Sequence, residues 1–157
     1  MKYQIPFGGF NIDSGWSTCY NDFIWNKNLF PDPKGLIDYF HSHNVKVMLW
    51  ATSIVNTNCP NYEEGKTKGY FLDGGKTIHW WHGNGSFVDF YNPEATKCWK
   101  SQMDKVLDLG VDAWKCDGTD PMVILLRPWP YSPYKKRLLK PHDYSNLYYG
   151  VFYNHTK

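Results

Sequence analysis

Apolar positions along this chain come in short runs, and their spacing switches between two periods. Phe10-Asn11-Ile12-Asp13 is a brief run after Gly8-Gly9 that ends in the turn residues Asp13-Ser14-Gly15, which predicts a strand. Leu36, Ile37 and Phe40 then recur at helical spacing. Ahead of them, Asp32 supplies a cap and Pro33 fits the first turn, where a missing N–H costs nothing. His43-Asn44 closes that helix. Val45 to Ala51 follows at once, β-rich and mostly apolar, as a strand buried on both faces should be.

The pattern loosens over residues 56–86, where Asn, Gly, Lys, Tyr and Trp alternate without a clean period. This predicts a long excursion with some local structure and a short hairpin around Asp73-Gly74-Gly75; loops of this length are often functional. Asn92-Pro93-Glu94 repeats the helix-start design, with an acid near the positive end of the helix dipole. Trp99, Met103, Val106 and Leu107 mark the buried face of that helix, and Gly110 is its expected C′ stop. Val111 to Asp117 is the next strand, closed by Gly118. Four prolines over residues 127–141 predict a loop, and Tyr144 to Phe152 a further helix.

Strand, helix, strand, long loop, helix, strand is the grammar of a parallel α/β sheet with right-handed crossovers. Asp13, Trp50 and Asp117 fall at or near the ends of three successive strands. In a β/α barrel the C-terminal strand ends form the active-site face. A dinucleotide-binding sheet is the structural alternative, but no GxGxxG follows any strand.

Composition changes this picture in one respect. Hydrophobic residues make up 42% and charged residues 20% of the 157, which reads as globular. Aromatic residues reach 18%, with 8 Trp and 12 Tyr. Aromatic faces stack on the C–H patches of sugars, and they also fill cores. Lys+Arg total 17 against 15 for Asp+Glu, with no basic run, so nothing points to nucleic acid. No stretch is long and apolar enough to predict a membrane span, and no apolar leader opens the chain. The four cysteines and six histidines show no metal-ligand spacing, so no metal is expected, and no motif points to an organic cofactor. Two sequons, at Asn84-Gly85-Ser86 and Asn154-His155-Thr156, permit a secretory location.

The candidate chemistry centres on Trp114-Lys115-Cys116-Asp117-Gly118-Thr119-Asp120-Pro121. Side chains alternate along a strand, so Lys115 and Asp117 share a face, with Lys115 one layer deeper. A neighbouring cation favours the ionised form that a nucleophilic carboxylate needs. A buried structural ion pair is the bland alternative. Asp120 either binds substrate hydroxyls or caps the next helix.

The chain resembles part of the catalytic barrel of family 31 glycoside hydrolases, the α-glucosidase and α-xylosidase family. The matching stretches are Phe10 to Trp16, Phe30 to Leu36, Val45 to Trp50, Asp89 to Ala95 and Gly110 to Asp120, in family order. The resemblance implies about strands two to four of a (β/α)8 TIM barrel, with residues 1–157 as one fragment of a single catalytic barrel. It implies Asp117 as catalytic nucleophile of a retaining, exo-acting α-glycosidase, at the tip of barrel strand four. It implies Asp13, Trp50, Lys115 and Asp120 as substrate-binding or supporting residues, and an oligosaccharide or glycoside as substrate. Related α-galactosidases share the Lys-x-Asp pattern, which keeps galactose-like substrates open.

A retaining glycosidase needs a second carboxyl about 5–5.5 Å from the nucleophile. In the family it lies well downstream, and Asp143, the one acid after Asp120, has no matching motif around it. The resemblance thus leaves the acid/base outside these residues, which are expected to be inactive alone. The rest of the barrel is expected to be needed for folding, since a partial barrel has open edges and an apolar inner face and should be unstable or self-associate. A non-catalytic carbohydrate-binding protein on a glycosidase fold is the alternative. Trp80, Trp81 and His82 either form part of a sugar-binding wall or pack on the rim.

Overall fold

The computed structural model describes residues 6–118 and 126–156. Its centre is a three-stranded parallel sheet of β1 (Gly9–Ile12), β2 (Lys46–Ala51) and β6 (Ala113–Cys116), in the order β1-β2-β6. Helix α1 (Pro33–Ser42) crosses between β1 and β2. Helix α3 (Pro93–Leu107) precedes β6, and α4 (Pro141–His155) packs beside α3 and β6.

Both predicted helix starts form as their capping residues dictate. The Asp32 carboxylate accepts the Gly35 N–H at 2.9 Å, and the Asn92 side chain accepts from Glu94 and Ala95. Each cap satisfies donors that the first turn leaves unpaired. Helix α1 ends at Ser42 with His43 as its cap, and Asn44, at φ 56°, turns the chain into β2. Helix α3 ends at Leu107 with Asp108 as its cap, so Gly110 is not the C′ residue expected of it. Gly110 instead takes φ 105° in the turn leading to β6, where a Cβ would meet Ile37 Cγ2 at 3.2 Å.

Register aligns the sheet in layers. Asn11 pairs with Met48, and Met48 with Ala113; Ile12 pairs with Leu49, and Leu49 with Trp114. The Ile12–Leu49–Trp114 side faces the helices. Ile37, Val47, Leu49, Met103 and Val106 are fully buried there, and Phe23, Trp99, Trp114 and Phe152 interlock as edge-to-face rings. Much of the aromatic surplus is therefore core: Trp16, Trp25, Trp50, Trp80 and Trp99 are all buried.

The excursion after β2 is more regular than its sequence. It begins with β3 (Ile54–Asn56) and α2 (Pro60–Thr67), then adds β4 (Ile78–Trp80) and β5 (Gly83–Phe87), as an antiparallel sheet in the order β3-β5-β4. The hairpin turn lies at Trp80–Gly83, not at Asp73-Gly74-Gly75. Those residues make a tight turn over Leu72–Gly75, with Asp73 at φ 54° and Gly74 at φ 66°. Gly85 is required where β5 crosses β3, because a Cβ there would lie 2.7 Å from the Val55 carbonyl oxygen.

Residues 127–141 are also more than a loop. β7 (Tyr131–Ser132) and β8 (Arg137–Leu138) form a small hairpin, and Pro141 is the first-turn proline of α4. Arg127 grips Asp73 through two hydrogen bonds of 2.7 Å, and Asp73 also accepts the Tyr131 N–H. Among the described residues, β1 and β6 are the edges of the parallel sheet. A cleft of about 370 Å3 beside β6 is lined by Ala113, Trp114, Cys116, Phe152 and Tyr153.

Candidate active site

Three strand ends meet at one end of the parallel sheet. Asp13 follows directly on β1; Trp50 lies in β2; Lys115 lies in β6 and Asp117 just beyond it. Trp50 is paired in register with Lys115, and Asp13 follows Ile12, which pairs with Leu49. Asp13, Trp50 and Lys115 therefore form one cross-strand row, and Asp117 stands a step further along the same face.

The side chains are wired together. The Trp50 indole donates Nε1–H to Asp117 Oδ2 at 2.9 Å. Lys115 Nζ donates to Asp13 Oδ2 at 2.7 Å and stands 3.7 Å from Asp117 Oδ2. One ammonium thus bridges both carboxylates, with its short contact to Asp13. The expected Lys115–Asp117 neighbourhood is present, but the tighter ion pair is with Asp13. Asp13 also accepts from the Ser14 N–H at 2.7 Å and from Asn11 at 3.0 Å. All three charged side chains remain open to solvent, with 52% of Asp13, 44% of Lys115 and 41% of Asp117 exposed. A fully buried structural pair would not look like this.

Electrostatics follow the wiring. The Lys115 hydrogen bond, followed by the Ser14 N–H, holds the Asp13 carboxyl below its usual range. Asp13 in turn raises the Lys115 ammonium. Behind Asp117, burial pushes the Cys116 thiol up to about 12, so this cysteine is inert as a nucleophile.

A wall of rings stands over Trp50. Tyr20 stacks on His82 with centroids 3.9 Å apart and meets Trp50 and Trp80 edge-on. Trp80 lies parallel to Trp50 at 6.4 Å and donates to Asn56. Burial lowers the His82 imidazole, and the nearby Asp13 charge partly offsets this. Of the three candidates in the excursion, His82 joins the site face, Trp80 packs behind it, and Trp81 points outward with 60% exposure. Tyr20 carried no sequence signal, since its place depends on how the loop after β1 folds back. Asp120 lies outside the described residues. Among the described residues, no group of three His, Cys, Asp or Glu side chains is placed to hold a metal ion.

The description "Glycosyl hydrolases family 31 TIM-barrel domain" matches residues 1–156. An alpha-xylosidase of Lactiplantibacillus pentosus is 34% identical over 123 residues, covering 74% of this chain and 16% of that protein. An alpha-xylosidase of Emericella nidulans is 28% identical over 162 residues, covering 96% of this chain and 19% of the relative. Among solved structures, a family 31 alpha-xylosidase from a soil metagenome, complexed with xylose, superposes with a TM-score of 0.76 at 24% identity. It covers 96% of this chain and 23% of that one. A family 31 dextranase of Flavobacterium johnsoniae, complexed with glucose, gives 0.75 at 22% identity, covering 94% of this chain and 20% of that one. The chain thus spans about a fifth of each of these relatives. An acid-tipped parallel sheet with α-helical crossovers, matched over residues 1–156 by one family's barrel domain, identifies this chain as a member of glycosyl hydrolase family 31.

Proposed function

We propose that β1, β2 and β6 are strands two to four of a catalytic (β/α)8 barrel, and that residues 1–157 are one piece of it. We further propose that Asp117 is the nucleophile of a retaining α-glycosidase. The observation that carries this reading is the Trp50–Asp117 hydrogen bond beside the Asp13–Lys115 pair at the ends of three parallel strands. An Asp117 oxygen attacks the anomeric carbon, the glycosidic C–O bond breaks, and the leaving oxygen takes a proton from a second carboxyl. Water then attacks the glycosyl–Asp117 ester and releases the sugar with retained configuration. Asp13 and Lys115 hold sugar hydroxyls, and Tyr20 and His82 form the apolar wall, backed by the buried Trp50.

The second carboxyl comes from beyond these residues. A general acid must hold its proton near working pH, and Lys115 does the opposite to Asp13. Asp143 is exposed in the first turn of α4, suited to the helix dipole and not to a strand-tip site. The names of the two relatives favour α-xylosides as substrates.

The test is hydrolysis of 4-nitrophenyl α-xyloside and α-glucoside by the full-length protein and its Asp117→Ala variant. The variant should lose at least about a thousandfold in kcat. Unchanged turnover would end this reading. Sugar binding without turnover by the unaltered protein would replace it with a carbohydrate-binding role.

A further inference from the structure

The loop after β1 is tied to the start of α2 by a disulfide between Cys19 and Cys59, forty residues apart in sequence. Tyr20 comes next to Cys19. Its ring stacks on His82 and abuts Trp50, the indole that donates to Asp117. On the other side of Tyr20, Asn21 is pinned through its side chain to the backbone of Thr52 and Ile54. Tyr20 is thus held between two anchors, one of polar hydrogen bonds and one covalent.

We infer that the Cys19–Cys59 disulfide is a clamp that positions the Tyr20–His82 face of the sugar pocket, so that thiol–disulfide chemistry at this bond sets how tightly the glycoside is held. The inference rests on the proposed glycosidase reading of the site. Cutting the bond leaves Asn21 and the hydrogen bonds from Ser17 and Asp22 to the Cys19 carbonyl in place, but removes the loop's covalent tie to the start of α2. Tyr20 then loses its fixed stacking distance to His82, while the Asp13–Lys115–Asp117 row, carried by strands, stays put. The effect belongs on substrate affinity and not on the chemical step.

The site is accessible to this chemistry. Cys19 is half-buried and Cys59 buried, so a reductant reaches the bond from the Cys19 side, and the two free thiols do not compete. Burial raises both Cys98 and Cys116, so neither is present as the reactive thiolate. With a dithiol such as dithiothreitol, a thiolate attacks one disulfide sulfur to give a mixed disulfide, and its second thiol displaces the protein sulfur. Two electrons and two protons pass to the protein, leaving Cys19 and Cys59 as thiols and the reductant as a cyclic disulfide. The clamp closes in an oxidising compartment and opens in a reducing one.

The experiment measures KM and kcat of the full-length protein for 4-nitrophenyl α-xyloside, oxidised and after dithiothreitol, with thiol titration to confirm reduction. KM should rise about three- to tenfold, the scale of one lost aromatic contact, with kcat within about twofold. Tyr20→Ala with the disulfide intact should reproduce the rise, and adding it to Cys19→Ser/Cys59→Ser should change little more, because both act through one contact. If the serine variants fail to fold, the reduced unaltered protein decides the matter. An unchanged KM on confirmed reduction, additive Tyr20 and cysteine effects, or loss of cooperative melting on reduction each overturns the inference. An active Asp117→Ala variant removes the glycosidase reading itself. An inactive one with a redox-independent KM removes only the clamp.

Discussion

Trp50→Phe separates the two jobs assigned to Trp50. The indole N–H is the donor to Asp117 Oδ2, at 2.9 Å, and phenylalanine keeps an apolar ring without it. A hydrogen bond to a charged group contributes about 1.5–3 kcal/mol. Asp117 is 41% exposed, so water replaces part of the lost donor. The low end, about 1.5 kcal/mol, corresponds to roughly tenfold in rate. Trp50 itself is only 3% exposed, so the smaller ring also leaves a gap against Trp80. That costs about 1–2 kcal/mol of stability, which a folded enzyme should survive. Steady-state kinetics of the full-length variant on 4-nitrophenyl α-xyloside should show kcat about tenfold lower and KM within about threefold. A folded variant whose kcat matches the unaltered protein would refute the idea that the indole N–H orients Asp117. A pure KM increase would leave Trp50 as a wall and nothing more.

Asp73→Asn keeps a residue type that tolerates φ 54° but loses the charge gripped by Arg127, and Asp73 is nearly buried. It should lower thermal stability by about 1–3 kcal/mol, read as a reduced melting midpoint, with Asp73→Ala worse. Asp32→Ala removes the acceptor for the Gly35 N–H and should cost about 1 kcal/mol by chemical denaturation. The pH profile of melting should be peaked. Burial raises the Asp22 and Asp89 carboxyls above the ordinary 3.8, so the folded state takes up protons first and stability increases as pH falls towards 3.8. Asp13 is held below 3.8 by Lys115; Asp112, although burial opposes it, is held below by Lys46, the Val47 N–H and His41. Their contribution is present above 3.8 and is lost as pH falls through their folded values. Calorimetry across about pH 8 to 3 should show the maximum on the mildly acid side, and Asp89→Asn should flatten the rise. Residues 1–157 expressed alone should self-associate through the β1 and β6 edges; a monodisperse, cooperatively melting monomer by light scattering would contradict that.

What was legible in the sequence was whatever local chemistry decides. Asp32-Pro33 and Asn92-Pro93 each specify a helix start, and a cap needs only the next three residues. The strand ends at Asp13 and Asp117 were legible because a turn glycine closely follows each acid. Residues 56–86 were not, because their order comes from distant partners. Asn56 accepts from the Trp80 indole, and Gly85 is where it is because β3 passes close behind it. The Asp73-Gly74-Gly75 run does turn the chain, but register with β3 puts the hairpin at Trp80–Gly83. The residue type of Gly110 alone suggests a helix stop, whereas its φ of 105° serves the turn after the helix has ended. In the site, alternation placed Lys115 and Asp117 on one face, but the cross-strand register that brings Asp13 to Lys115 is a tertiary fact.

That register also explains why the cation sits where it does. A lysine reserved for the nucleophile would make its short contact to Asp117. Here the 2.7 Å contact goes to Asp13 and the 3.7 Å one to Asp117, whose oxygen is instead met by an indole N–H. On the proposed glycosidase reading, a neutral donor holds Asp117 in position for attack without the full charge pairing that would blunt it. The charged donor favours the ionised form of Asp13, which suits the hydroxyl-accepting role proposed for it better than that of a general acid. Two carboxylates within reach of one ammonium are therefore held differently, Asp13 by a charged donor and Asp117 by a neutral one. With Asp117 as the nucleophile proposed above, a retaining mechanism calls for a further carboxyl, in an environment that raises its pKa, facing Asp117 from across the pocket.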